Sequence, residues 1–147
     1  MFLFPGSSER PADVFIPNYS GGKHLFLDVA ITCPLQHKYV VDAAQTLGFS
    51  CNNYADEVKS KHFESRVQEE DALYLPAVIE SFGGFSRDLP DFFYKLIKSV
   101  SLRFDDSTST ISKHFYETIS CALMKSIARS VTVRPRLAQF FKRNDPD

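Results

Sequence analysis

A layered α/β domain is the fold class that the sequence predicts, and three observations carry it. The apolar segments fall in the order strand, strand, helix, helix, strand, helix, helix, which suits a sheet covered by helices better than a bundle or a sandwich. The 147 residues are one domain's worth, and 44% hydrophobic with 14% aromatic is enough to build a core. No run approaches the ~18 apolar residues of a membrane span, and the opening MFLFPGSSER has neither a basic start nor a long apolar stretch. A soluble intracellular protein, nuclear or cytoplasmic and without a membrane partner, is expected.

The stretch RPADVFIPNYSGGKHLFLDVAIT opens the fold. Val14–Ile16 and Leu25–Thr32 are short, β-branched and aromatic, and the turn formers Pro17 to Gly22 separate them, so a hairpin is expected. Residues 37–47 place Val40, Val41, Ala44 and Leu47 at helical spacing, with Gly48 suited to end that helix in a left-handed conformation. Asn52 or Asn53 is placed to cap a second helix reaching about Glu70. Leu73–Glu80, stopped by Gly83-Gly84, reads as a buried strand whose Pro76 points to an edge or a bulge. Two helical stripes follow: Phe92, Phe93, Leu96, Ile97 and Val100, then Ile111, Phe115, Ile119, Leu123 and Ile127 beyond the linker DDSTST, with Pro135 expected to end the second. The organisation is therefore one domain, with a sheet and core at about 10–80, a helical part at about 87–131 and a basic tail at 132–147.

Cys33, Cys51 and Cys121 are odd in number and widely spaced, so neither a disulfide framework nor a zinc ribbon is suggested. A net charge of −1 conceals an asymmetry: residues 1–88 carry 7 Lys/Arg against 12 Asp/Glu, and residues 89–147 carry 10 against 6. Arg129, Arg134, Arg136, Lys142 and Arg143 form a run without an acid, the kind of basic patch that neutralises phosphates; a solvated helix end is the plainer reading. Most of the 14 Phe and 6 Tyr sit at core-compatible positions such as Phe92, Phe93 and Phe115, which favours packing over base-stacking platforms.

Asp13 and Asp28 each lie at the edge of an apolar run. Carboxylates about 4 Å apart on neighbouring strands repel by on the order of 4 kcal/mol at an effective dielectric near 20. Protonation of one, a cation between them or a divalent metal would offset that; alternatively each aspartate merely ends a strand or makes a turn. On the second helix Tyr54, Ala55, Val58, Phe63 and Val67 share a face at 100° per residue, and Lys59 falls within it. Lys61 falls on the opposite side, near Glu57 and Glu64. Lys59 either snorkels to an edge of the core or brings its charge to the paired carboxylates.

These residues resemble the PD-(D/E)XK, restriction-endonuclease-like nuclease superfamily. Pro11-Ala12-Asp13, then Asp28 in LDVAIT, then Lys59 to Phe63 as K-x-x-H-F, then YLPAVIESFGG and ISCALMKSIARS follow an order similar to that of the endonuclease domains of non-LTR retrotransposons and their stand-alone invertebrate relatives. The resemblance covers roughly residues 10–130. It implies a mixed sheet flanked by helices, with two C-terminal helices, and Mg²⁺- or Mn²⁺-dependent hydrolysis of a DNA phosphodiester. Asp13 and Asp28 would be catalytic metal ligands, and Lys59 the catalytic lysine that orients or deprotonates water or stabilises the transition state. Glu80 is a weaker candidate, its plainer reading being a strand-end carboxylate facing water. Ala30 stands where the commonest form of the superfamily has its lysine, so that role moves to the helix, and His62 stands at the family's second lysine position. Only nine residues precede Arg10, so an N-terminally truncated or decayed copy is expected, and a homodimer or a partner chain would complete the sheet. Arg134, Arg136, Lys142 and Arg143 are the candidate DNA-binding residues. A catalytically dead module that keeps the fold and binds nucleic acid or protein is the alternative.

Overall fold

The computed structural model describes residues 12–61 and 72–143, residues 134–143 as backbone alone. The chain is mixed α/β, and it divides into two compact units between Leu96 and Ile97. No helix among the described residues is long and apolar enough to cross a membrane.

Among the described residues, the first unit is built on a three-stranded sheet of order β1-β2-β3, with β1 at Val14–Ser20, β2 at Lys23–Thr32 and β3 at Leu73–Glu80. β1 and β2 form the expected hairpin, but longer than the turn formers suggested. β1 runs through that segment to Ser20 and β2 starts at Lys23, leaving only Gly21 and Gly22, at φ 60° and 83°, as the turn. Two successive positive φ values are what a tight hairpin needs and what glycine supplies without strain. The remaining turn formers become a bulge: Ile16 pairs with Leu25 and Ser20 with Lys23, so Pro17, Asn18 and Tyr19 all lie opposite His24.

β3 lies parallel to β2 in unbroken register from Leu25↔Leu73 to Thr32↔Glu80. Its position at the sheet edge explains Pro76. The backbone groups of Val78 and Glu80 point away from β2: Ser86 N–H donates to the Val78 carbonyl at 2.9 Å, and Glu80 N–H donates to the Gly84 carbonyl at 2.7 Å. Pro76 shares that parity, so its missing N–H breaks no ladder bond, and its carbonyl accepts from Ser86 Oγ at 3.0 Å.

One sheet face carries Phe26, Asp28, Ala30 and Thr32 of β2 beside Tyr74, Pro76, Val78 and Glu80 of β3, as period-two alternation requires. A helix covers it: α2, Phe49–Tyr54, continues as a π-helical segment over Ala55–Ser60. Cys51, Ala55 and Val78 are buried together there, with Ala30 and Tyr54 against them. The expected helix over 37–47 shrinks to a single turn, α1 at Val40–Ala43. Its apolar stripe has nothing to bury: Val41 is 66% and Leu47 94% exposed, while Tyr39, placed outside that stripe, is buried. Gly48 is left-handed at φ 73° as expected, but it introduces α2. Helix α2 thus starts ahead of Asn52 and Asn53, and Asn52 Oδ1 accepts the Arg87 N–H at 2.9 Å instead of capping. The rest of the expected second helix, with His62, Phe63 and Val67, lies outside the described residues.

Helix α3, Leu89–Phe104, begins in the first unit, where Phe92 and Phe93 are buried and pair with Tyr19 and Phe85 at ring separations of 5.9 and 5.6 Å. In the second unit the remainder of α3 precedes α4, Thr108–Arg143, whose stripe Ile111, Phe115, Ile119, Leu123 and Ile127 is buried or half-buried as expected. Pro135 does not end it. The backbone stays helical to Arg143 in spite of the lost hydrogen bond and the ring clash that a helix-interior proline brings, so most of the expected basic tail is helix.

Glu80 does not face water. It is 7% exposed, and Ser50 Oγ, itself fully buried, donates to its Oε1 at 2.8 Å. Gly84 closes over it so tightly that a Cβ there would fall 2.5 Å from Glu80 Oε2. Glu80 is therefore the latch that holds the β3 turn to α2. Replacing Glu80 by Ala leaves Ser50 unpaired and is expected to lower stability by ~1–3 kcal/mol in urea denaturation, with Glu80→Gln losing less because it still accepts from Ser50.

Candidate active site

Asp13 and Asp28 lie at the same end of the hairpin, away from its turn. Asp13 immediately precedes Val14, which pairs with Leu27, so it sits beside the stretch of β2 that carries Asp28. Asp13 also grips β2 on both sides of Asp28. Its N–H donates to the Leu27 carbonyl at 3.1 Å, and its Oδ2 accepts the Val29 N–H at 2.8 Å. The two aspartates differ in surroundings, Asp13 being exposed and Asp28 only 7% exposed on the helix-covered face.

A carboxylate buried in a sheet needs a partner, and Lys59 supplies it. Lys59 Nζ lies 3.0 Å from Asp28 Oδ1 and 2.9 Å from Oδ2, straddling the carboxylate. The lysine comes from the π-helical segment, where i→i+5 bonding widens the turn; such segments are frequent at functional sites. Lys61, two residues on, bridges to Glu57 on the exposed side, as the helical projection anticipated. Of the two readings of Lys59, snorkelling to an edge or meeting the carboxylates, the structure takes the second for Asp28.

Tyr74 is the member that sequence reasoning missed. It sits on β3 in register with Phe26, so its side chain shares the face of Asp28, and its hydroxyl donates to Asp28 Oδ2 at 3.0 Å. Burial, then the negative charge of Asp28, the hydrogen bond to it and the charge of Asp13 push the Tyr74 phenol well above its ordinary range. It therefore stays a donor. A tyrosine in an apolar strand reads as core, and the only sequence signal was its parity with Asp28 once β2 and β3 are taken as neighbours.

Tyr74 also forms a wall of a cleft of about 420 Å³, shared with Asp56 and Ser60 of the π-helical segment and with Ser86 and Arg87. Arg87 is held there by Asp56. Glu80 is apart from this group: it pairs with Thr32, four positions along the ladder from the Asp28–Pro76 pair. Among the described residues no group of three or more His, Cys, Asp or Glu gathers to hold a metal ion. A cation here would rest on Asp13 and Asp28 with water, an oxygen-only set that fits Mg²⁺, which keeps much of its hydration. The side chains of Arg134, Arg136, Lys142 and Arg143 lie outside the described residues.

No protein-family model, no curated protein and no solved structure matches the chain. The functional reading rests on the site itself.

Burial also acts on Cys51, whose thiol is pushed up from 9.0 to about 12, first by desolvation and then by the charge of Glu80. Both raised groups, Cys51 and Tyr74, bind protons more tightly folded than unfolded. Their contribution to stability is complete below the unfolded pKa values and is lost as pH rises above them. The melting temperature is expected to fall from about pH 8.5 to about pH 10.5, less steeply in Cys51→Ala and in Tyr74→Phe than in the wild type. Parallel slopes in all three proteins would contradict this.

Proposed function

We propose that the chain is a restriction-endonuclease-like, divalent-metal-dependent DNA endonuclease domain of mobile-element origin. One observation supports this above the others: Lys59 reaches both oxygens of Asp28, and Asp13 hydrogen-bonds β2 on either side of that aspartate. Two carboxylates and a lysine are the groups that metal-assisted phosphodiester hydrolysis needs, and here one strand pair and one helix bring them to the same end of the sheet.

Asp13 and Asp28 would hold Mg²⁺ or Mn²⁺. The chemistry supplied by that ion when bound is Lewis acidity, which lowers the pKa of water and offsets charge on the phosphoryl oxygens. Lys59 holds a positive charge where the attacking water or the phosphoryl oxygen would lie, stabilising the anionic transition state. Tyr74 keeps a proton on the Asp28 carboxylate's flank. Lys61 and Arg87 line the adjoining cleft, each paired with an acid, Glu57 and Asp56, so a DNA phosphate there would have to compete with those carboxylates. Arg134, Arg136, Lys142 and Arg143 are proposed separately as phosphate contacts. Among the described residues β1 is an edge of the sheet, so a second copy or a partner strand that completes it belongs to the same proposal.

A second reading, a catalytically dead module of the same fold that binds nucleic acid or protein, is favoured by one feature. Asp28 is already neutralised by Lys59 and hydrogen-bonded by Tyr74, as a purely structural carboxylate would be.

Supercoiled plasmid separates the two. Nicking in Mn²⁺ or Mg²⁺, and a rise in melting temperature with either ion, are expected of the wild type and should vanish in Asp28→Ala. Intact plasmid with an unmoved melting temperature contradicts catalysis. Salt-sensitive DNA binding that survives Asp28→Ala and weakens when Arg134, Arg136 and Arg143 are neutralised would then establish the second reading.

A further inference from the structure

We infer that Asp28 exchanges one cation for another: Lys59 is a resident counter-ion that a divalent metal displaces, and Tyr74 is the positioning residue that keeps the carboxylate aimed during the exchange. This rests on the metal site proposed above and adds an order of events to it.

An ionised carboxylate offers about four acceptor positions. At Asp28 the ammonium of Lys59 spans both oxygens, at 3.0 and 2.9 Å, and the Tyr74 hydroxyl takes a further position on Oδ2 at 3.0 Å. Oδ1 has the lysine alone among these donors. A dication on the same carboxylate repels the ammonium twice as strongly as a second monovalent charge would at that distance. The neutral phenol exerts no such repulsion.

The two donors also differ in how they are held. Tyr74 is anchored in β3, whose ladder with β2 fixes its distance from Asp28 on the same rigid sheet. Lys59 reaches in on a flexible four-carbon stem from the π-helical turn, and its side chain keeps 19% of its surface in solvent. When a metal enters, the ammonium is thus the group that moves, and Oδ1 is the oxygen that opens. Its neighbours Ser60 and Lys61 line the cleft that Tyr74 also walls, so the displaced ammonium moves beside the space proposed for the DNA phosphate. The lysine becomes available to the reacting groups only after the metal has taken its place on Asp28.

The test is Mn²⁺ affinity of the full chain without DNA, read from free Mn²⁺ by electron paramagnetic resonance. Lys59→Gln, which removes the competing charge, is expected to bind Mn²⁺ about 10-fold more tightly than the wild type or better. Tyr74→Phe, which keeps the ring and loses the donor, is expected to bind it about 10-fold more weakly or worse, the usual effect of losing a ligand's supporting hydrogen bond. Asp28→Asn should not bind. A merely structural Tyr74 would lower the metal-free melting temperature and leave the affinity unchanged. If Lys59→Gln does not fold by circular dichroism, Lys59→Met carries the same expectation. Wild-type binding that Asp28→Asn abolishes but Lys59→Gln does not tighten, or Tyr74→Phe does not weaken, overturns the exchange and leaves the metal site standing. Absence of binding in the wild type and in Lys59→Gln alike overturns both. Binding by Lys59→Gln alone overturns the exchange, because it shows that the metal does not displace Lys59 in the natural chain.

Discussion

The ion pair between Asp28 and Lys59 is the constraint around which the first unit is arranged. A carboxylate with a side chain only 9% exposed, in the middle strand of a sheet, is tolerable only if its charge is met. Removing one partner of such a pair costs about 3–5 kcal/mol, because the other charge stays buried and alone. The helix that covers this face therefore has a chemical reason to dock as it does, beyond the burial of Cys51 and Ala55 against Val78. An apolar pair of similar volume would hold the layers together equally well or better. That the chain instead keeps a charge in its sheet is the strongest physical pointer to a chemical role.

The two buried acids of this face make the contrast plain. Glu80, at one end of the ladder, is met by the hydroxyl of Ser50 and is enclosed by Gly84, so it is sealed and serves the turn. Asp28, four rungs away, is met by a lysine whose side chain is partly in solvent, has the exposed Asp13 bonded to the next residue's N–H, and borders a cleft through Tyr74. One acid is enclosed by a hydroxyl and a glycine; the other meets a lysine whose side chain is partly in solvent. The proposed metal chemistry therefore rests on the second.

Much of this was legible in the residues, and the failures have physical causes. β2 and β3 were readable because both are continuous apolar runs bounded by glycines, and Lys59 stood out because a lysine on an apolar helical face demands a partner. The hairpin was placed correctly but its turn was overestimated: the Pro17 to Tyr19 cluster is also what a bulge on an edge strand uses. Val40, Val41 and Leu47 had helical spacing without a surface to bury, and periodicity alone does not reveal whether a neighbour exists. Pro135 does not stop α4, because its lost hydrogen bond and ring clash are a local cost that bends or strains a helix without obliging the backbone to leave it. Glu80 and Tyr74 depended on strand register, which links residues dozens of positions apart and leaves little trace in local sequence.

Asp13 and Asp28 as joint ligands of one ion make a direct demand on diffraction. Crystals grown in Mn²⁺ and measured at the manganese edge should show an anomalous peak bonded at about 2.1–2.2 Å to a carboxylate oxygen of each aspartate, with Lys59 withdrawn from Asp28. A peak elsewhere, or an Asp28 still straddled by the ammonium with no manganese beside it at saturating metal, would contradict the site.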